Sequence, residues 1–298
     1  MNTPTILRLG HSPDPDDAFM WWPLADFKGP DGKHHKPQIN TGGFSFVHVL
    51  EDIQSLNART KKADLEITAL SIHQYAFVAD KYALTACGAS MGDGYGPMIV
   101  CKAGRKFAPR FLKGKKVAIP GLRTTAWLAC QLWLKEFGMS ADDIQFESVM
   151  FDEIPARVAS GEYFAGLIIH EGQLTFASEG LGLVVDLGAW WKVKHNLPLP
   201  LGGNAIRRDL GEAQMKKVAA VLLASIRHAL AHRKEALAFA GLWGRGLDDK
   251  LADKFVGMYV NDWTLDFGPL GERAVAKLLE EGASAGLIPQ VGKVDFVR

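Results

Sequence analysis

The sequence predicts an α/β fold with mostly parallel sheets, because two kinds of segment alternate along most of its 298 residues. Short apolar runs of strand length are followed by longer segments with apolar residues at helical spacing. This alternation is typical of βαβ units. The chain is also long enough to bury a sizeable core, and its length favours two domains.

The first hundred residues contain four predicted strands with helices between them. Strands are predicted at 6–10, 43–50, 63–71 and, after a glycine-rich loop, up to residue 102. Helices are predicted at 16–27, 51–62 and 72–83. Pro23 should kink or end the first of them, and the loop at 29–43 should lie in solvent.

A second block of alternating elements begins near residue 103. Strands are predicted at 115–121, 144–151 and 164–172, with a helix at 124–138 that ends at a glycine. A short helix should follow the second of these strands, and long helices should cover the chain after residue 211.

We expect the chain to cross between two lobes twice, near 98–103 and near 201–207. A large lobe would then contain 1–102 and 205–298, and a small lobe would contain 103–204. A ligand would bind between the lobes, because clefts in α/β folds lie at the carboxyl ends of strands and at helix N-termini.

Composition excludes several classes of protein. The net charge of +1 provides no global attraction for nucleic acid or an anionic membrane. Three cysteines without a CxxC spacing argue against a disulfide framework or a zinc knuckle, and reduced thiols fit a cytoplasmic protein. No secretory signal and no membrane-spanning apolar stretch are expected.

HSPDPDDAF, at 11–19, places three aspartates after the first strand: Asp14, Asp16 and Asp17. The segment that starts at Asp14 does not match a calcium-binding loop, because its sixth residue is a phenylalanine and its twelfth an alanine. Acid–base chemistry is an alternative, but spacing in sequence does not fix the separation of the carboxylates. We favour a helix N-terminus at which Ser12 and the aspartates cap the helix and line a cleft.

Polar residues at other strand ends are further candidates. Gly121, Thr124 and Thr125 stand between a strand and a helix and could seat a carboxylate or phosphate, although N-capping alone explains the threonines equally well. Ser71 ends an apolar strand, and Asn57 lies on the helix before that strand; neither position is diagnostic by itself.

His170 ends the buried run LIIH and is either a catalytic base or a structural residue. Glu171 should point to the opposite face, and HEGQL lacks the second histidine of an HExxH zinc site. His228 and His232 are four residues apart and could share a metal, but no third ligand is evident, so a partly exposed helix face is favoured.

Three segments carry a resemblance to one family: AGLIIHEGQLTF (165–176), DLGAWW (186–191) and LPLPLGGNAIRRDLG (197–211). Together with YVNDWTLDFGPLGERAV (259–275), they resemble the 1,4-dihydroxy-6-naphthoate synthases of the futalosine route to menaquinone, and the likeness spans nearly the whole chain. The related chorismate dehydratases share the two-lobed fold but fit these segments less well.

The resemblance implies a type II periplasmic-binding-protein-like fold used as a cytoplasmic enzyme. It implies a carbon–carbon lyase that converts cyclic dehypoxanthinyl futalosine to 1,4-dihydroxy-6-naphthoate without a metal or organic cofactor. His170 matches the proposed general base. Four residues match polar groups of the substrate pocket: Asn57, Ser71, Thr124 and Thr125.

The chain departs from the family at its first motif, where relatives often have SPCPNDTF and this chain has SPDPDDAF. Acceptor carboxylates at Asp14 and Asp16 thus replace neutral donors. If Asp16 faces a substrate carboxylate, repulsion would lower affinity, so this segment is expected to alter substrate preference.

The alternative function is a non-catalytic binding protein for a small aromatic or carboxylated solute. The absent signal peptide and His170 favour the enzyme, whereas the fold alone does not decide. In both cases the expected partner is a small molecule, with no nucleic acid or membrane. The sequence does not set the oligomeric state, and a homodimer is left open.

Overall fold

The computed structural model describes residues 4–243 and 248–298 and has the predicted two-lobed α/β fold. Its strands are β1 Thr5–His11, β2 Phe44–Leu50, β3 Ile67–Ser71, β4 Tyr82–Thr85, β5 Ser90–Gly92, β6 Met98–Lys102, β7 Lys116–Ile119, β8 Gln145–Ser148, β9 Ala165–Ile168, β10 Leu181–Asp186, β11 Leu199–Arg207 and β12 Phe296–Val297.

Helices connect the strands and cover the sheets. They are α1 Pro15–Trp21, α2 Ile53–Thr60, α3 Ile72–Tyr75, α4 Thr125–Lys135, α5 Ile154–Ser160, α6 Gly172–Thr175, α7 Leu187–His195, α8 Glu212–Ala231, α9 Arg233–Ala240, α10 Asp249–Tyr259, α11 Asp262–Leu265 and α12 Gly268–Ser284. The predicted long helices of the C-terminal part span 244–247, which lie outside the described residues.

Two separate sheets define the lobes. The seven-stranded sheet has the order β12-β4-β11-β3-β1-β2, with β5 beside β11, and the five-stranded sheet has the order β10-β6-β9-β7-β8. The C-terminal helices return to the first lobe, where α8 and α9 pack against α1 around the buried Trp21 and Phe19.

The prediction of mostly parallel sheets is corrected, because both sheets are mixed. Strands β1, β2 and β3 are parallel, as are β7, β8 and β9. However, β11 runs antiparallel to β3 and β4, and β6 runs antiparallel to β9 and β10. The antiparallel strands adjoin the crossings between sheets, and an apolar run has the same pattern in either direction.

Both predicted crossings are displaced by several residues. Strand β6 belongs to the five-stranded sheet, so the chain first crosses between Gly92 and Met98. It returns between His195 and Leu199, because β11 pairs with β5 from its first residue. The sequence of a strand does not specify which sheet contains its partners, and this explains the displacement.

The first predicted helix is shorter than expected, because α1 ends at Trp21 and Pro23 lies in a single 3₁₀ turn after it. The helix predicted at 72–83 is also replaced, by the one-turn helix α3 and the start of β4.

Within the described part of the chain, no helix is both long enough and apolar enough to cross a membrane.

Candidate active site

A cavity lies between the lobes and is lined by residues from both. Its walls come from the loop after β1, the ends of β3 and β9, the first turn of α4, and parts of β11 and α10. Six of the predicted site residues line it: Ser12, Asp16, Ser71, Thr124, Thr125 and His170. Asn57 and Gly121 lie behind its walls, as described below.

His170 follows β9 with its backbone in the left-handed region, at φ 52°. This conformation is uncommon for a residue with a side chain, and such residues often mark functional sites. With the Gln173 amide oriented so that its nitrogen donates to the Gly96 carbonyl (2.8 Å), its oxygen accepts from the His170 backbone N–H at 3.2 Å. The backbone that aims His170 at the cavity is therefore supported by a buried side chain.

A carboxylate lies beside the His170 ring. Nε2 of His170 is 3.6 Å from Oδ2 of Asp14, an ion-pair distance, and Asp14 is only 3% exposed. Burial lowers the pKa of His170, but the surrounding carboxyl groups, with Asp14 the largest contributor among them, together outweigh burial, so its net pKa is raised. The carboxylate favours a proton on Nε2, which leaves Nδ1 as the basic nitrogen.

The prediction that the aspartates of the first motif cap a helix is wrong for Asp14. It occupies the N-cap position of α1, but its side chain makes no capping hydrogen bond. Instead, the backbone N–H of Asp14 donates to the Ser12 hydroxyl at 3.2 Å. Its proximity to His170 was missed because the two residues are far apart in sequence; the only signal was the unusual carboxylate in the first motif.

The other two aspartates of the motif are buried acids. Burial raises the pKa of Asp16 to about 7, and repulsion from Asp17 adds to this rise. Burial also raises the pKa of Asp17 to about 6, although its Oδ2 accepts the Ser12 backbone N–H at 2.8 Å. The three aspartates are therefore not equivalent.

These shifts predict a pH-dependent difference in stability between the wild type and Asp16→Asn. Folded Asp16 keeps its proton up to about pH 7, whereas an unfolded aspartate loses it near pH 4. The protonated Asp16 side chain therefore contributes to the free energy of unfolding fully below about pH 4, and this contribution is lost as pH rises to about 7. We expect the Tm of Asp16→Asn to rise relative to wild type between about pH 4 and 7; a constant difference would contradict the raised pKa.

Asn57 supports Ser71 and does not line the cavity. It is fully buried, its Nδ2 donates to the Ser71 hydroxyl at 3.0 Å, and its Oδ1 accepts the Ser71 backbone N–H at 2.9 Å. Nδ2 also lies 3.3 Å from the Arg123 carbonyl, across the lobes. The predicted direct binding role of Asn57 is therefore corrected to one of positioning.

We expect Asn57→Ala to lower the free energy of unfolding by about 1–3 kcal/mol, because it leaves buried partners without hydrogen bonds. Denaturant titration would measure this loss. Asn40→Ala is the matched control, since Asn40 is exposed and accepts only a local hydrogen bond from the Gly42 N–H. Equal stability losses in the two variants would contradict the supporting role.

The two threonines are engaged within the protein. Thr124 caps α4, since its hydroxyl accepts the Trp127 N–H (3.2 Å) and donates to the Gly121 carbonyl (2.9 Å). Thr125 donates its hydroxyl proton to the Leu201 carbonyl at 2.6 Å. The N-cap interpretation is thus correct for Thr124, and neither hydroxyl proton is free to bind an anion without a rearrangement.

Gly121 approaches a side chain of the other lobe and not the cavity. Its φ is +152°, and a Cβ there would lie 2.3 Å from Oε1 of Gln54. That oxygen also accepts the Arg123 backbone N–H at 3.3 Å. Gly121 therefore allows a contact between the lobes, and the prediction that it helps to seat a carboxylate or phosphate is corrected.

Gln173, Asn204 and Tyr259 are among the polar cavity residues that sequence reasoning missed. The Tyr259 hydroxyl lies 2.9 Å from the Gln173 amide group, and burial raises the pKa of Tyr259. Nδ2 of Asn204 donates to the Gly88 carbonyl at 3.1 Å. These residues come from α6, β11 and α10; all three lie in segments that carry the family resemblance, but their positions in sequence did not show that they meet at the cavity.

Within 4–243 and 248–298, no group of three or more His, Cys, Asp or Glu side chains is arranged to hold a metal ion. His228 and His232 stack with ring centroids 4.0 Å apart, and Nδ1 of His232 lies 3.0 Å from the His228 carbonyl. His232 lies at the junction of α8 and α9, so the pair is explained by stacking at the C-terminal end of α8.

Comparison with known proteins gives consistent matches. The family model described as "Menaquinone biosynthesis" matches residues 7–284. A 1,4-dihydroxy-6-naphthoate synthase of Thermus thermophilus is 39% identical over 281 residues, covering 94% of this chain and 95% of that protein. One from Streptomyces coelicolor is 30% identical over 291 residues, covering 96% of each.

Solved structures support the same fold. Protein AF1704 from Archaeoglobus fulgidus has a TM-score of 0.83 at 40% identity, covering 95% of this chain and 98% of its own. The alkanesulfonate-binding protein SsuA from Xanthomonas axonopodis, bound to MOPS, has a TM-score of 0.68 at 12% identity, covering 99% and 98%. At that identity the second match shows the fold alone.

Proposed function

The chain belongs to the menaquinone biosynthesis family that includes the 1,4-dihydroxy-6-naphthoate synthases, and on this basis we propose that it is a lyase acting on cyclic dehypoxanthinyl futalosine. The product is 1,4-dihydroxy-6-naphthoate, released with a sugar-derived fragment. The observation that carries the proposal is the position of His170 at the cavity between the lobes, with the Asp14 carboxylate beside its ring.

His170 is the general base of the proposed reaction. Carbon–carbon cleavage that ends in an aromatic ring needs removal of a proton, and a histidine with a pKa near the working pH performs this step efficiently. Asp14 makes the imidazole more basic and stabilises the imidazolium that forms after proton transfer. No step of this scheme needs a metal or an organic cofactor.

The remaining polar residues bind and orient the substrate. Ser71 is fixed by Asn57 and offers a hydroxyl at the end of β3 for a sugar oxygen. Ser12 and Asp16 lie on the loop after β1 and at the start of α1, on another wall of the cavity. Met20 and Ile169 provide apolar surface against which an aromatic ring can pack.

Purified protein incubated with the cyclic substrate tests this function directly. We expect 1,4-dihydroxy-6-naphthoate to form, detected by chromatography and mass spectrometry, without added metal or cofactor. Substrate binding without product would instead support the alternative of a solute-binding protein, which the fold of the alkanesulfonate-binding relative allows.

A further inference from the structure

Asp16 has a buried oxygen atom without a partner. The residue is only 8% exposed and lines the cavity, and its Oδ1 makes no hydrogen bond within the described part of the chain. A buried carboxylate oxygen without a donor is energetically costly, because the charge loses its hydration and gains nothing in return. The position therefore favours either a proton on the carboxyl group or a ligand that faces it.

The charges around Asp16 favour the proton. Asp14 and Asp17 lie in the same turn, Glu171 directly follows His170 in sequence, and Tyr259 faces Asp16 from α10. His170 provides the one positive charge among these groups when it is protonated. Several ionised carboxylates in one buried cluster repel each other, and the repulsion falls when one of them keeps its proton.

The contacts indicate which carboxyl group keeps the proton. Asp17 accepts the Ser12 N–H, which stabilises its anion, and Asp14 lies beside the His170 ring, which stabilises the anion when the ring is charged. The Asp16 carboxyl group accepts a backbone hydrogen bond from Asp17, but its Oδ1 has no donor within the described residues.

We propose that Asp16 acts as a neutral carboxylic acid that donates a hydrogen bond to an oxygen atom of the substrate, while Asp14 supports His170. This role rests on the proposed function and deepens it. A protonated carboxyl group has both a donor and an acceptor, so it can hold a hydroxyl or a carboxylate oxygen. The repulsion expected between Asp16 and a substrate carboxylate is thereby removed.

The protons of Asp16 and His170 are coupled. The two residues can share one proton in two ways: it lies on Asp16 with His170 neutral, or it lies on His170 with Asp16 ionised. Because both arrangements hold the same number of protons, they coexist at one pH. Only the first arrangement has both a hydrogen-bond donor and a free base. The pH profile of kcat/KM should therefore be bell-shaped, with an alkaline limb that reflects loss of the Asp16 proton.

Asp16→Asn tests the role, because an amide keeps a donor that cannot ionise near pH 7. We expect wild-type kcat/KM to fall as pH rises through about 7, and Asp16→Asn to stay active without that alkaline limb. Asp16→Leu, which has no donor, should lose about tenfold in kcat/KM across the profile. Asp142→Asn, the same change at an exposed residue, should keep the wild-type profile.

Infrared titration measures the proton without turnover. The C=O stretch of a protonated carboxylic acid should disappear from the wild type as pH rises through about 7, and this change should be missing in Asp16→Asn. An Asp16→Asn variant that keeps the alkaline limb, or a titration unchanged by the substitution, would overturn the proposal. Asp16→Ser, which keeps a neutral donor, replaces Asp16→Asn if the amide variant does not fold.

Failure of the proposed function would be distinct from failure of this inference. A wild type that makes no naphthoate would refute the lyase assignment, while the infrared titration would still show whether Asp16 holds a proton. In that case the affinity for added 1,4-dihydroxy-6-naphthoate should weaken above about pH 7 in the wild type and not in Asp16→Asn. Equal pH dependence in the two proteins would overturn the donor role.

Discussion

His170→Asn should lower kcat by a factor of about a hundred to ten thousand while substrate affinity changes little. The substitution removes the basic nitrogen and leaves a polar side chain of smaller size. Asparagine also tolerates the left-handed backbone that His170 adopts, so the loop after β9 should keep its shape. Steady-state kinetics and calorimetric binding of the cyclic substrate measure the two effects separately.

His34→Asn is the matched control, because His34 is an exposed histidine on the loop before β2. We expect this variant to retain wild-type kcat and affinity. If His170→Asn kept full activity, His170 would not be the general base. A loss of affinity without a loss of kcat would instead assign His170 to binding.

Asp14→Asn should lower the pKa of His170 and reduce kcat about tenfold. The carboxylate of Asp14 stabilises the imidazolium, so its removal makes His170 lose its proton at a lower pH and makes it a weaker base. The acidic limb of the kcat/KM profile should therefore move to lower pH. Kinetics across about pH 5 to 8 would record the shift and the lower maximum together.

Asp80→Asn is the control for the change of charge, since Asp80 is an exposed aspartate outside the cavity and should keep the wild-type profile. An acidic limb that stays in place in Asp14→Asn would show that Asp14 does not set the basicity of His170.

Local patterns predicted much of the fold. The period of apolar residues located β1, β2 and β3 and the helix α4, and Thr124 was correctly placed at the start of that helix. The strands that adjoin the crossings were less predictable. Strand β6 is a buried apolar run whose sheet and direction depend on β9 and β10, which lie far along the chain.

The site was predictable where a residue ends a strand or begins a helix. Ser71 and His170 were found this way, because both stand at or just after the end of an apolar strand. The partners that give them chemistry were not predictable from position. Asn57 supports Ser71 from a neighbouring helix, and Asp14 reaches His170 across the lobes, so both depend on the folded chain.

The most direct test of the account is a structure of the His170→Asn variant with the cyclic substrate bound. We expect density for the intact substrate between the lobes, with its reacting carbon beside residue 170 and its oxygens within hydrogen-bond distance of Ser71 and Asp16. Substrate bound elsewhere, or a cavity that stays empty at saturating substrate, would contradict the assignment of this cavity as the active site.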